Sequence, residues 1–150
     1  MSEIEIKGLD HMLQQLQEIS DAGSGEALGK VVLAGAFALE GRVKRSMHEP
    51  KSGRIYSRGG KTHKASAPGE APAIDYGALV NSVQSKLGNV TRDSAEAEVF
   101  TDQESAAHLE FGTAHIAPRP FMRPAAEEGQ AEIAVAATGT IKRLIEEAAK

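Results

Sequence analysis

Gly59-Gly60-Lys61-Thr62 ends as a phosphate-binding loop ends, with a lysine for phosphate oxygens and a hydroxyl for a bound magnesium ion. That chemistry also needs a glycine five residues before the last one, and Ile55 stands there, with Gly53 out of register. The loop should follow a buried strand, whereas here a helix broken by Pro50 precedes it. A second candidate, Gly23–Lys30, places Gly29-Lys30 correctly but has Ser24 for the first glycine and Val31 for the hydroxyl residue. Neither is expected to hold a nucleotide. The histidines are His11, His48, His63, His108 and His115, and none lies in an HExxH pair or a cluster with metal-ligand spacing. Glu104 and His108 share a helix face at i, i+4, where a solvated pair is the simpler reading than a metal site. No GxSxG nucleophile elbow occurs. Asp75 precedes a turn, which suits a helix N-cap better than an acid or base. Asn89-Val90-Thr91 has the pattern of a glycosylation acceptor without a secretion signal beside it. The expectation is a chain that is not an enzyme, with no catalytic residue, cofactor or metal.

Charge carries more information. Between Arg42 and Lys64 lie eight basic residues (Arg42, Lys44, Arg45, Lys51, Arg54, Arg58, Lys61 and Lys64) opposed only by Glu49. The segment is therefore +7 in a chain of net charge −4, and the remainder sums to −11. Such a stretch meets something negative: nucleic acid, a membrane surface or the acidic face of another protein. A membrane-spanning role is not expected, because the longest apolar run, around Val31–Leu39, is broken by Gly35 and far too short. MSEIEIKGLD is charged and contains no apolar signal segment, and cysteine is absent. Disulfides and thiolate metal sites are thereby removed, which fits assembly in a reducing cytosol.

These residues need elements to position them. At 150 residues, 41% of them hydrophobic but only 4% aromatic, the chain fits one domain with an aliphatic core. Glu3–Lys7 alternates as a short strand. Leu9, Leu13, Leu16 and Ile19 recur at helical spacing, and Asp21–Gly25 breaks the pattern. A longer helix follows, capped by Ser24, with an apolar stripe of Leu28, Val32, Gly35, Leu39, Val43 and Met47. Gly35 and Gly41 within it suggest a closely packed neighbour. Pro50 ends the helix, and residues 50–74 read as an extended arm rich in proline and glycine. Asp75–Leu79 reads as an N-cap and a helical turn. Ser82–Leu87 and Ala95–Phe100 form a hairpin, the latter with Ala95, Ala97 and Val99 inward and Glu96 and Glu98 outward. Gln103–Phe111 is helical with Ala106, Ala107 and Phe111 inward and Gly112 as its stop. The last helix runs from about Arg123 with a stripe of Ile133, Ala137, Ile141, Leu144 and Ala148. The fold class is α+β, with helices packed on a small, mainly antiparallel sheet and a long extended loop between the second helix and the hairpin.

Three segments in this order resemble a known family. Ala67-Pro68-Gly69-Glu70-Ala71-Pro72 leads into Asp75-x-Gly-x-Leu79-x-Asn81-Ser82. Leu109-Glu110-Phe111-Gly112-Thr113 follows, and then Ala117-Pro118-Arg119-Pro120-Phe121-Met122-Arg123-Pro124-Ala125. Together, and over essentially the whole chain, they are similar to the head–tail joining, or tail-completion, proteins of long-tailed bacteriophages. The long basic loop before APGEAP is a departure from the family. The resemblance implies a structural virion subunit without cofactor or reaction. Such a subunit forms a homo-oligomeric ring, sixfold by resemblance, between neck or connector proteins and the tail tube or its terminator. Adaptor, stopper, completion protein and terminator all stay open as its place in the stack.

Under that resemblance the interface residues are Arg54, Tyr56, Arg58, Lys61 and Lys64 of the basic segment, Pro68, Gly69, Glu70 and Pro72 of the arm, and Arg119 and Arg123. Asp75, Leu79, Phe111, Gly112, Pro120 and Phe121 define the fold. Phe111 and Phe121 are expected to anchor the proline turn to the core, and Arg119 and Arg123 either to pair with carboxylates such as Glu110, within or between subunits, or to form a plain solvated pair. The basic segment is expected to dock on an acidic protein surface, with contact to passing DNA and a solvated, flexible loop as the alternatives. Protein docking is favoured, since only Tyr56 there can stack a base and the rest of the chain is acidic. The alternative is a small nucleic-acid-binding protein using residues 42–64.

Overall fold

The structure, a computed structural model, describes residues 25–148. The expected strand Glu3–Lys7, the first helix and the Ser24 cap lie outside the described residues. Five helices and four strands follow: α1 (Gly25–His48), β1 (Ile55–Arg58), β2 (Lys61–Lys64), α2 (Ala78–Ser82), β3 (Gln84–Val90), β4 (Ala95–Phe100), α3 (Glu104–Phe111), α4 (Met122–Glu128) and α5 (Gln130–Ala148). The class is α+β. Its strands form two separate two-stranded antiparallel sheets, β1–β2 and β3–β4, where the sequence suggests one. Among the described residues no helix is long and apolar enough to cross a membrane.

The chain divides into two compact units. Of the described residues, one comprises 25–40, 85–99 and 127–148; the other comprises Gly41–Gln84 and Phe100–Ala126. In the first, Leu28 and Val31 of α1 pack with Ala137 and Ile141 of α5, and Ala95 of β4 and Leu144 lie against them. This is the expected arrangement of helices on a sheet, and aliphatic side chains alone build it. Gly35 has the close neighbour the sequence suggests: a Cβ there would sit 3.0 Å from Cγ2 of Ile133. Gly41 meets only Arg45 of its own helix. On β4, Glu96 and Glu98 face solvent while Ala95, Ala97 and Val99 are half-buried, as the alternation requires. Lys86 and Glu98 pair across the two strands at 2.6 Å. Ser85 binds back to α1, its hydroxyl donating to the Glu40 carboxylate at 2.7 Å.

In the second unit the buried apolar side chains are Val43, Met47, Val80, Val83, Ala106, Phe121, Ala125 and Ala126. Two sequence expectations change here. The stretch 50–74 is not extended throughout, because Ile55–Lys64 closes as a hairpin with Tyr56 opposite His63 and Arg58 opposite Lys61. Gly59 and Gly60, at φ 58° and 76°, make the two-residue turn. Both positions need the left-handed region that glycine enters freely, and the resulting twist matches that of the strands. The glycines read against a phosphate loop are thus the tip of a hairpin. The last helical stretch is also two helices, α4 and α5, separated at Gly129.

Gly112 stops α3 at φ 74°, ψ 176°. That region is open essentially to glycine alone. A Cβ at Gly112 would also meet the Ile116 carbonyl oxygen at 2.8 Å and Pro118 at 2.9 Å. Gly112→Ala is expected to lower unfolding free energy by about 1–3 kcal/mol, read from the denaturant midpoint. An unchanged midpoint would contradict the geometry.

Candidate functional site

The second unit gathers the segments that the sequence singles out. Its organising contact is Glu110. One carboxylate oxygen accepts the backbone N–H of Phe121 at 2.8 Å and of Met122 at 3.0 Å, and the other accepts that of Arg123 at 2.9 Å. A helix starting at Met122 leaves four N–H groups without intrahelical partners, those of residues 121–124. Glu110 takes three, and Pro124 has none to offer. The negative carboxylate also faces the positive end of the helix. Arg119 and Arg123 therefore do not hold Glu110 through their guanidinium groups, as the sequence suggests. Arg119 instead donates from Nε to the Ser66 carbonyl at 3.2 Å and from Nη1 to Ala117 at 3.2 Å, while Arg123 contributes its backbone N–H.

This use of Glu110 sets the rotation of α3. Ala106, Leu109 and Glu110 face inward at spacings of three and four, so Phe111 and Ala107 point out. Phe111 is 75% exposed, whereas Phe121 is 1% exposed. Phe121 is the anchor that the sequence expects; Phe111 is not. Pro120, at the approach to it, is half-buried.

The arm is fastened to its own chain. Glu70 accepts the Ala67 N–H at 2.8 Å and the Ser52 N–H at 3.1 Å, and the Ser52 hydroxyl donates to its other oxygen. These bonds, led by the Ser52 hydroxyl, hold the Glu70 carboxyl down to about 2. The Gly69 N–H donates to the Pro118 carbonyl at 2.9 Å, and Gly53 and Ala65 bond at the base of the hairpin. Pro72 is buried, so it faces this unit rather than a partner; Pro68 and Gly69 are exposed.

Asp75 is not the N-cap. Gly77 holds that place at φ 83°, with no side-chain cap. The Asp75 carboxylate is drawn to the hairpin, 3.2 Å from Arg58 Nη1 and 2.9 Å from His63 Nδ1. The histidine contact is close but misaligned, leaving Asp75 Oδ1 and His63 Nε2 buried without a hydrogen bond. His63 stacks on Tyr56 at 5.6 Å, and the Arg58 guanidinium lies 5.5 Å above the exposed Tyr76 ring. One hairpin face is thereby seated on Asp75–Tyr76, while the other presents Ile55, Ser57, Thr62 and Lys64 to solvent. Arg54, Arg58, Lys61 and Lys64 are all exposed. Leu79, in α2, is half-buried and lines a cavity of about 770 Å³ together with Met47, Pro72, Val80, Leu109 and Ile116.

Among the described residues no group of three or more His, Cys, Asp or Glu is placed to hold a metal ion. Glu104 and His108 are both exposed. The roles of Glu110 and Glu70 were legible only in part: each stands near a proline-rich turn whose backbone donors need partners, a weak signal without the fold. Comparison with protein-family models, with curated proteins and with solved structures gave no match to this chain.

Glu110→Ala leaves three backbone donors without their partner and is expected to cost about 2 kcal/mol. Glu110→Gln, which keeps a single neutral acceptor, should lose less. Equal stability of both variants with the parent in urea titration would contradict this capping role. The Glu70 contribution depends on pH with a definite sign. A carboxyl held at about 2 in the fold, against an ordinary 4.5, stabilises fully above pH 4.5 and loses that contribution as pH falls toward 2. Carboxyl NMR should place the Glu70 titration near the lower value, with exchange protection of the Ala67 amide fading over the same range.

Proposed function

We propose that this chain is a structural subunit at the head–tail joint of a long-tailed bacteriophage, assembling as a ring, sixfold by resemblance, between connector and tail. One observation carries the reading. Three stretches of the resemblance, 67–72, 109–113 and 117–125, are parts of one device held by direct bonds: Gly69 to Pro118, Leu109 to Arg119, and Glu110 to Phe121–Arg123. A pattern whose separated pieces bond to one another is a unit of structure, and chance matches to three short motifs have no reason to converge. Its surface is that of a subunit made for contact, with Ile55, Tyr76, Phe111 and Ile116 exposed together with the hairpin cations. Exposed apolar side chains that share a surface favour contact with another chain, and the first unit exposes four of its own, Phe37, Leu87, Val135 and Ile145. The virion is the location that follows, with assembly in the host cytoplasm.

A nucleic-acid-binding role is the second reading, and it rests on the exposed Arg54, Arg58, Lys61 and Lys64 of the hairpin. Electrostatic affinity for duplex DNA would fall steeply with salt. Negative-stain imaging of the protein, alone and mixed with tail tubes, separates the two. Rings capping tube ends are expected. Replacing Arg54, Lys61 and Lys64 by Ala should weaken tube association about tenfold, since exposed ion pairs are each worth roughly 0.5 kcal/mol. A protein that stays monomeric with tubes and binds duplex DNA with a steep salt dependence would overturn the neck assignment.

A further inference from the structure

We infer that the exposed Phe111 of one subunit is a knob that enters the 770 Å³ cavity of a second copy, making the contact that joins neighbours in the ring. The inference rests on the neck reading and names its partner as another copy of this chain.

The geometry of α3 carries it. Leu109 lines the cavity, and Phe111, two residues on, points about 200° away around the helix. Phe111 therefore cannot fill the cavity of its own chain. Its exposure is imposed by structure, because the inward rotation of Glu110 onto the α4 N-terminus turns Phe111 out. The outward stripe of α3 runs Glu104, Ala107, His108 and Phe111 at spacings of three and four, the pattern by which a helix enters a groove. It presents a carboxylate at one end and a phenyl ring at the other.

The cavity matches both ends. Its buried lining is mostly apolar, Met47, Pro72 and Val80 with the one polar residue Ser66, whereas Arg58 and Ile116 of the lining are exposed. A phenyl ring suits the first group, and Glu104 with Asp102 suits the exposed cations beside it, Lys61 and the Arg58 guanidinium, which already shares Asp75 of its own chain. The volume is that of a small-ligand pocket, enough for one ring with a flanking side chain. Knob and socket are different patches of one surface, so the contact is heterologous and passes from copy to copy until it closes. One phenylalanine buries roughly 150–250 Å², so the knob seeds an interface that other contacts complete.

The chain contains no cysteine, which makes a direct test possible. Phe111→Cys and Ala73→Cys variants, the second replacing a cavity-lining residue, are mixed under oxidising conditions with tail tubes. A disulfide-linked dimer should form in the mixture and in neither variant alone. Phe111→Ser, at an exposed site, should keep the parent's denaturation midpoint while raising the subunit concentration needed for rings roughly ten- to a hundredfold. Rings that form on tubes with Phe111→Ser as they do with the parent, or a mixture that gives no cross-link, would overturn the inference and leave the neck reading standing. A parent protein that is monomeric alone and on tubes would remove both. A small molecule retained in the cavity of assembled rings would also overturn it.

Discussion

The fold of the second unit depends on one carboxylate. Glu110 takes the N–H groups of Phe121, Met122 and Arg123, and with Pro124 next in line it leaves the start of α4 with no unpartnered donor. Hydrogen bonds to a charged acceptor are stronger than neutral ones, and leaving three donors open would cost more than any single apolar contact nearby returns. Two consequences follow from that hierarchy. The chain between Gly112 and Pro120 must turn back on itself, and only a glycine tolerates the backbone angles where the turn begins. Phe121, held beside the capped helix start, becomes the buried aromatic of this unit, while Phe111 is rotated into solvent.

A second layer of the same logic fixes the arm. Proline-rich chain makes few backbone bonds of its own, so side chains and carbonyls from elsewhere must supply them. Glu70 does so for Ser52 and Ala67, Arg119 reaches the Ser66 carbonyl, and Pro118 receives the Gly69 N–H. The hairpin is supported differently. An isolated two-stranded ribbon is marginal in water, and here one face is seated by Asp75 on Arg58 and His63 and by the Tyr56 and Tyr76 rings. Its cations are consequently presented at defined positions, which suits recognition of an acidic surface. The proposed neck role joins these features to the motifs, and the proposed knob-and-socket contact would extend it to neighbouring copies.

Much of this was legible in the chain. Period-3.6 apolar stripes gave α1 and α5, and alternation gave β4; β3 runs Gln84–Val90 rather than Ser82–Leu87, with Ser82 closing α2 and Leu87 exposed. Errors fell where one side chain's hydrogen bonding overrules its neighbours' hydropathy. By hydropathy Phe111 belongs inside and Glu110 outside; backbone donors eleven to thirteen residues away reverse that order. Asp75 has the position of a cap, yet two partners on a hairpin attract its charge. Gly59-Gly60 is as good a hairpin signal as it is a poor phosphate loop, but the strands beside it are polar, so no apolar alternation announces them.

The sequence by itself determined the α+β class, the aliphatic core, the concentration of positive charge in one segment and the motifs that carry the resemblance. These are properties of residue type and near-neighbour spacing, and local physics reads them directly. Only the tertiary structure decided that the arm is tied to its own chain, that the basic segment is a hairpin seated on Asp75, and that Phe111 stands in water. Each of those depends on which distant donor a carboxylate finds, and that is fixed only when the intervening chain has folded.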